Sequence, residues 1–145
     1  MDALDKQILE ILQQDGKISI SELGRMIGLS TTATKERVKK LESEGYIERY
    51  TVNLNSDKMG YGLTAFITVP VGDIDIVEMG DRLISMPQVL ECHKVTGNAC
   101  FLIKVKATDA RDLERTIDQI NQYAKNTYTY IALSTLKETL ELPVK

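Results

Sequence analysis

The amino-acid sequence predicts an α+β fold in two parts: three helices, then a half ordered strand, helix, strand, strand, helix, strand. Three observations lead there. Over the first 45 residues apolar side chains recur every three or four positions, the period of a helix packed on one face. Beyond residue 62 several stretches alternate apolar and polar residues, the period of a strand with one face buried. Between the two regimes lie Asn55-Ser56-Asp57 and Gly60-Tyr61-Gly62, which supply turn chemistry. The expected organisation is a first domain over 1–54, a linker over 55–62 and a second domain over 63–145.

In the first helix Leu4, Ile8, Ile11 and Leu12 share a face, Asp2 is placed to cap it, and Asp5 lies where the helix dipole favours an acid. Asp15-Gly16 ends it. Ser19 and Glu22 have the spacing of a capping box for a second helix, expected to bury Leu23, Met26 and Ile27 and to stop at Gly28. Only Gly28-Leu29-Ser30 separates it from a third, for which Ser30 is a good N-cap. Thr34, Val38 and Leu41 share a face of that helix, and Gly45 closes it. Residues 46–54 are rich in β-formers and partly alternating, so a wing or linking strand is expected there.

Two helices joined by so short a turn, the second longer and basic, make the pattern of a helix-turn-helix. On a helical wheel Thr32, Lys35, Glu36 and Lys39 lie opposite the Thr34/Val38/Leu41 face and project outward. Ser30 opens the helix, and Thr31 and Thr32 are small enough to approach base edges and methyl groups in the major groove. Lys35, Arg37, Lys39 and Lys40 can meet phosphates, which positions a helix without reading sequence, and Arg25 on the preceding helix is a further phosphate candidate. A three-helix bundle with a merely solvated charged face would show part of this pattern. The short first helix, three-residue turn, threonine entry and basic second helix together favour double-stranded DNA as partner.

In the second half Leu63, Ala65, Ile67, Val69 and Val71 alternate with Thr64, Phe66, Thr68 and Pro70. Ile76/Val77, Gly80 and Leu83/Ile84 follow at helical spacing until Met86-Pro87 breaks it. Residues 89–95 read as a second strand and Thr96-Gly97-Asn98 as a turn. Phe101, Ile103, Val105 and Ala107 mark a third strand. Asp109 caps a helix carrying Leu113, Ile117, Ile120 and Ala124, and residues 127–133 form a fourth strand. The order βαββαβ suggests a ferredoxin-like sandwich with both helices on one sheet face. The other face would be a bare apolar surface, and a second copy covering it is the simplest solution, so at least a homodimer is expected.

Charge argues mildly against nucleic acid. The chain of 145 residues carries a net charge of −3, with 8 Lys/Arg against 9 Asp/Glu in residues 1–50 and 10 against 12 beyond. Only Lys35, Arg37, Lys39 and Lys40 concentrate positive charge, with Glu36 among them, so DNA binding would rest on several copies of a small basic surface. No run approaches the roughly 20 apolar residues of a membrane span, and the acidic Met1-Asp2-Ala3-Leu4-Asp5 start is unlike an export signal. The expected location is the cytoplasm, at the nucleoid, with Cys92 and Cys100 as free thiols.

The residues so far resemble the Lrp/AsnC, or feast/famine, family of bacterial and archaeal transcription regulators. The resemblance is carried by Leu4-Asp5-Lys6-Gln7-Ile8-Leu9, Gln14-Asp15-Gly16-Lys17-Ile18-Ser19, Leu29-Ser30, the run from Glu36 to Glu42, Gly45-Tyr46-Ile47 and Tyr50. The second half adds, more loosely, Glu91-Cys92-His93-Lys94-Val95-Thr96-Gly97 and the Thr129-Tyr130 strand. The resemblance implies a winged-type helix-turn-helix joined to a sandwich domain that dimerises, assembly into higher homo-oligomers such as octamers that bend DNA, and a small-molecule effector, commonly an amino acid, bound between sandwich domains. It places effector contacts at Gly97, Asn98 and Cys100. Many members have a pattern like Gly-Asp-x-Asp there, whereas this chain has Gly97-Asn98-Ala99-Cys100, with no counter-charge for an ammonium group. That implies a different class of effector, another residue holding the amine, or no effector. A proline typical of the family at the first position of the recognition helix is Thr31 here.

The same residues leave other functions open. A DNA-bending architectural protein needs no effector. Some haem-biosynthetic decarboxylases resemble the family in both halves, but one histidine, His93, and no Cys-x-x-Cys or His/Asp cluster argue against an enzyme, a metal or a cofactor. A lone histidine in a strand is usually structural or exposed, and Cys92 and Cys100, flanking a turn, are expected to be inert. A stand-alone metabolite sensor, its helical half binding protein, is the remaining alternative.

Overall fold

Helix α1 (Ala3–Gln14), helix α2 (Ile20–Ile27) and helix α3 (Thr31–Ser43) form in the order and near the limits that their caps dictate. The structure, a computed structural model, describes residues 1–72 and 75–145. It divides into two units, Met1–Asn53 with Lys137–Lys145, and Leu54–Leu136. In the first, Ile8, Leu23, Val38 and Leu41 are buried together, one or two from each helix, so three amphipathic stripes close a small core. Met26, expected inside, is 57% exposed, because Leu23 and Gly24 take the buried positions of its helix.

No strand forms over residues 46–54. β-propensity alone cannot make a strand without a neighbour to share its hydrogen bonds. Instead the Tyr50 hydroxyl donates to Glu42 Oε1 on α3 at 2.9 Å. Desolvation and then the Glu42 carboxylate push that hydroxyl up to about 12. The C-terminal segment 137–145 is held to α1 through one side chain. Gln13 Oε1 accepts the Leu142 N–H at 2.6 Å, and Gln13 Nε2 donates to the Leu142 carbonyl at 3.0 Å.

The second unit runs β1 (Leu63–Pro70), α4 (Ile76–Ser85), β2 (Val89–Lys94), β3 (Ala99–Ala107), α5 (Ala110–Asn121) and β4 (Tyr128–Ile131). The strands form one antiparallel sheet in the order β2-β3-β1-β4, the arrangement expected of a ferredoxin-like sandwich. Ala65, Ile67 and Val69 of β1 and Phe101, Ile103, Val105 and Ala107 of β3 face the helices and pack with Met79, Leu83, Leu113 and Ile120. Val71 falls beyond the end of β1 and is exposed, and β4 is shorter than expected, leaving Leu133 outside it. The buried stripe of α4 is Met79/Leu83, whereas Val77 and Ile84, equally well spaced, face outward.

Residues 55–60 fold as turns, with Met59 N–H donating to Asn55 O at 3.1 Å and Lys58 N–H to Asn55 Oδ1 at 2.9 Å. The opposite sheet face carries Phe66, paired with Tyr130, and Thr68, paired with Tyr128. Beside them Lys104 meets Glu91 at 3.1 Å, and His93, itself exposed, meets Glu91 at 3.3 Å. His93 first and then Lys104 hold the Glu91 carboxyl below its ordinary range.

Candidate nucleic-acid interface

The two helices of the turn cross where α2 has no side chain. A Cβ on Gly24 would lie 2.7 Å from Thr34 Oγ1 and 2.8 Å from the Leu29 carbonyl oxygen. Thr34 is fully buried, and its hydroxyl donates back to Ser30 O at 2.9 Å. Gly28 caps α2 at φ 73°, a left-handed conformation that suits glycine, and Leu29 N–H bonds Gly24 O at 2.9 Å. Apolar periodicity does not single out Gly24; a glycine inside a helical pattern, where alanine would be favoured, is the one signal in the sequence for a close approach.

The caps hold the turn at both ends. Ser19 Oγ accepts the Glu22 N–H at 3.1 Å, but the reciprocal half of the expected capping box is absent. Glu22 binds the Arg25 guanidinium instead, through both of its oxygens. Arg25 remains well exposed. Ser30 Oγ accepts the Ala33 N–H at 3.2 Å and so starts α3.

With Thr34, Val38 and Leu41 inward, α3 exposes Thr31, Thr32, Lys35, Glu36, Lys39 and Lys40. Lys39 and Glu36 approach to 3.9 Å, and Lys40 and Glu44 to 3.8 Å, loose pairs that solvent screens. Lys35 has no carboxylate within ion-pair distance among the described residues.

Arg37 is not part of this surface. Its Nη1 turns to the start of α1 and donates to Asp2 Oδ2 and Asp5 Oδ1, each at 2.7 Å. The box missing from α2 is complete on α1: Asp5 N–H donates to Asp2 Oδ1 at 2.9 Å and Asp2 N–H to Asp5 Oδ2 at 3.0 Å. Both carboxyls lie below their ordinary values, chiefly through these backbone bonds, with Arg37 adding to the effect.

The residues of the second half expected around an effector do not converge. Gly97, at φ 111°, and Asn98 are exposed in the turn between β2 and β3, while Cys100 is buried in the sandwich core. The Asn98 carbonyl accepts the Val71 N–H at 3.3 Å. Cys92 pairs with Ile103, and Cys100 O accepts the Val95 N–H, so the thiols are not cross-strand partners. Burial pushes the Cys92 thiol up, away from a reactive thiolate.

Residues 1–42 match the AsnC-type helix-turn-helix domain, and residues 64–142 match the Lrp/AsnC ligand binding domain. Over its full length the chain is 33% identical to the HTH-type transcriptional regulator FL11 of Pyrococcus furiosus, covering 97% of that protein. The solved structure of Bacillus subtilis LrpC superposes with a TM-score of 0.88 at 31% identity, over 94% of this chain and 97% of that one. A transcriptional regulator of Neisseria meningitidis, solved in complex with L-Met, superposes with a TM-score of 0.92 at 26% identity, over 99% and 96%.

Proposed function

Because this chain belongs to the Lrp/AsnC family of transcription regulators, we propose that it reads duplex DNA with the exposed face of α3. Thr31 and Thr32, beside the Ser30 cap, approach the base edges, while Lys35, Lys39, Lys40 and, from α2, Arg25 meet phosphates. The observation that carries this reading is the α2–α3 crossing at Gly24 and Thr34. It buries one face of α3 and leaves a hydroxyl-led, lysine-bearing face outward. Residues 1–54 serve DNA in this reading, and residues 63–145 serve assembly and an effector. The protein works in the cytoplasm, and no helix among the described residues is long and apolar enough to cross a membrane.

The second half assembles at least a homodimer through its open sheet face, where Phe66, Tyr128 and Tyr130 are exposed. It also takes a small molecule, a reading supported by the similar Neisseria regulator, which was solved with L-Met. Gly97 and Asn98 are the accessible candidates for contact, and Cys100, buried in the sandwich core, acts only through packing.

A mobility-shift titration tests the DNA reading, using DNA from upstream of the protein's own gene with unrelated DNA as competitor, at two salt concentrations. Preference for its own DNA that weakens as salt rises is expected. Replacing Lys35 and Lys39 by alanine together should lower the slope of log affinity against log salt by about two per DNA-bound α3. Equal binding to both DNAs would point to an architectural role. No binding at low salt would remove DNA as the partner.

A further inference from the structure

Resting on the DNA-binding reading above, we propose that Arg37 is a positioning residue: by clamping α3 to the capped start of α1 it fixes the rotation of α3 and so decides which side chains meet the bases. Arg37 sits at the border between the buried Thr34/Val38/Leu41 face and the exposed Lys35/Lys39 face. The two carboxylates it holds are each used twice. One oxygen of Asp2 and one of Asp5 accept a backbone N–H at the start of α1, and the remaining oxygen of each accepts from Arg37 Nη1. Asp5 is only 3% exposed, so the guanidinium cannot move off without leaving a buried charge unpaired.

This role separates from a phosphate contact in two measurable ways. A phosphate contact strengthens binding to any duplex and adds about one to the salt slope. A positioning residue supports only the part of binding that depends on sequence. The second difference is one of sign. By charge alone, neutralising a carboxylate near α3 would tighten DNA binding; if Asp2 steadies Arg37, neutralising it loosens specific binding.

The test uses full-length Arg37→Gln, Asp2→Asn, the double variant and Lys39→Ala. Each is titrated, over a range of salt, against a duplex that the wild type selects from a randomised library and a mixed-sequence duplex of equal length. Circular dichroism and urea unfolding establish that each variant is folded at the assay temperature. Arg37→Gln should lose roughly tenfold on the selected duplex, as for a lost charge-assisted bond, with affinity for the mixed duplex and the salt slope unchanged. Asp2→Asn keeps an N-capping side chain and should lose affinity in the same direction, with the double variant no worse than Arg37→Gln alone. Lys39→Ala should weaken both duplexes and lower the slope by about one.

If Arg37→Gln weakens both duplexes with a lower slope, Arg37 is a phosphate contact and the proposal is overturned. Unchanged preference in folded Arg37→Gln, or tighter binding by Asp2→Asn, overturns it equally. Should Arg37→Gln fail to fold, Asp2→Asn decides, since Asp2 is largely exposed. A wild type that selects and binds no duplex at low salt would instead sink the DNA-binding reading itself.

Discussion

Burying a carboxylate costs several kcal/mol unless hydrogen bonds and a cation compensate, and Asp5 receives both, from the Asp2 N–H and from Arg37. Its carboxyl therefore lies below the ordinary 3.8, the Asp2 bond being the largest cause, burial opposing and Arg37 adding. A carboxyl depressed in the folded state binds protons more readily when unfolded. Its stabilisation is complete above the unfolded value and lost as the pH falls through the folded one. Urea midpoints measured from about pH 6 to about pH 3 should fall more steeply for the wild type than for Asp5→Asn; equal slopes would show that Asp5 does not contribute. Gly24 gives an opposite case of local preference overruled. Alanine gains about 1 kcal/mol of helix propensity over glycine in an exposed helix. Here its Cβ would meet a backbone oxygen at 2.8 Å that cannot swing away. Overpacking of this kind costs about 1–3 kcal/mol, so Gly24→Ala should lower stability, and a rise in the urea midpoint would contradict so close a crossing. The sequence identified the charged residues of α3 but could not separate Arg37 from the lysines beside it, because its partners lie more than thirty positions away.

Caps and turns proved the most legible elements because their chemistry is local. Asp2, Ser19, Ser30 and Asp109 each cap the helix expected of them. What periodicity could not decide was which of two equally spaced stripes of α4 turns inward. Met79/Leu83 and Val77/Ile84 are both spaced for one helix face, and only the sheet beneath selects the first. The run at 46–54 failed for a related reason, since strand composition is a preference that a partner must realise. The same local logic makes Ser30 a test of α3 as an element. Its side chain satisfies one free N–H at the end that presents Thr31 and Thr32. Ser30→Ala should cost about 1 kcal/mol in urea unfolding, the usual worth of an N-cap. Fraying of that first turn should also lower preference for a selected duplex. Stability unchanged within error would mean that water replaces the cap without loss.

At the scale of the whole molecule, a chain of net charge −3 with a few exposed lysines on one helix is a weak partner for DNA as a single copy. Linked copies convert later contacts into intramolecular ones, so many modest interactions can sum to tight, salt-sensitive binding. The sandwich supplies a surface suited to that linkage. Phe66, Tyr128 and Tyr130 stand on the sheet face opposite the core, 37%, 60% and 59% exposed. Aromatic side chains at the centre of a self-complementary patch carry much of the energy of an interface. A buried glutamate there would lack a partner and, across a two-fold axis, would add its charge in both copies. Under the proposed self-association, Tyr130→Glu should therefore lower the sedimentation coefficient to that of one chain, with an unchanged circular dichroism spectrum. Because avidity is lost with assembly, the same variant should bind DNA at least about a hundredfold more weakly although no residue of α3 has changed. An assembled Tyr130→Glu would move the self-association surface off this face. A monomeric Tyr130→Glu that bound DNA as tightly as the wild type would show that one chain suffices and that the small basic surface of α3 is stronger than its charge implies.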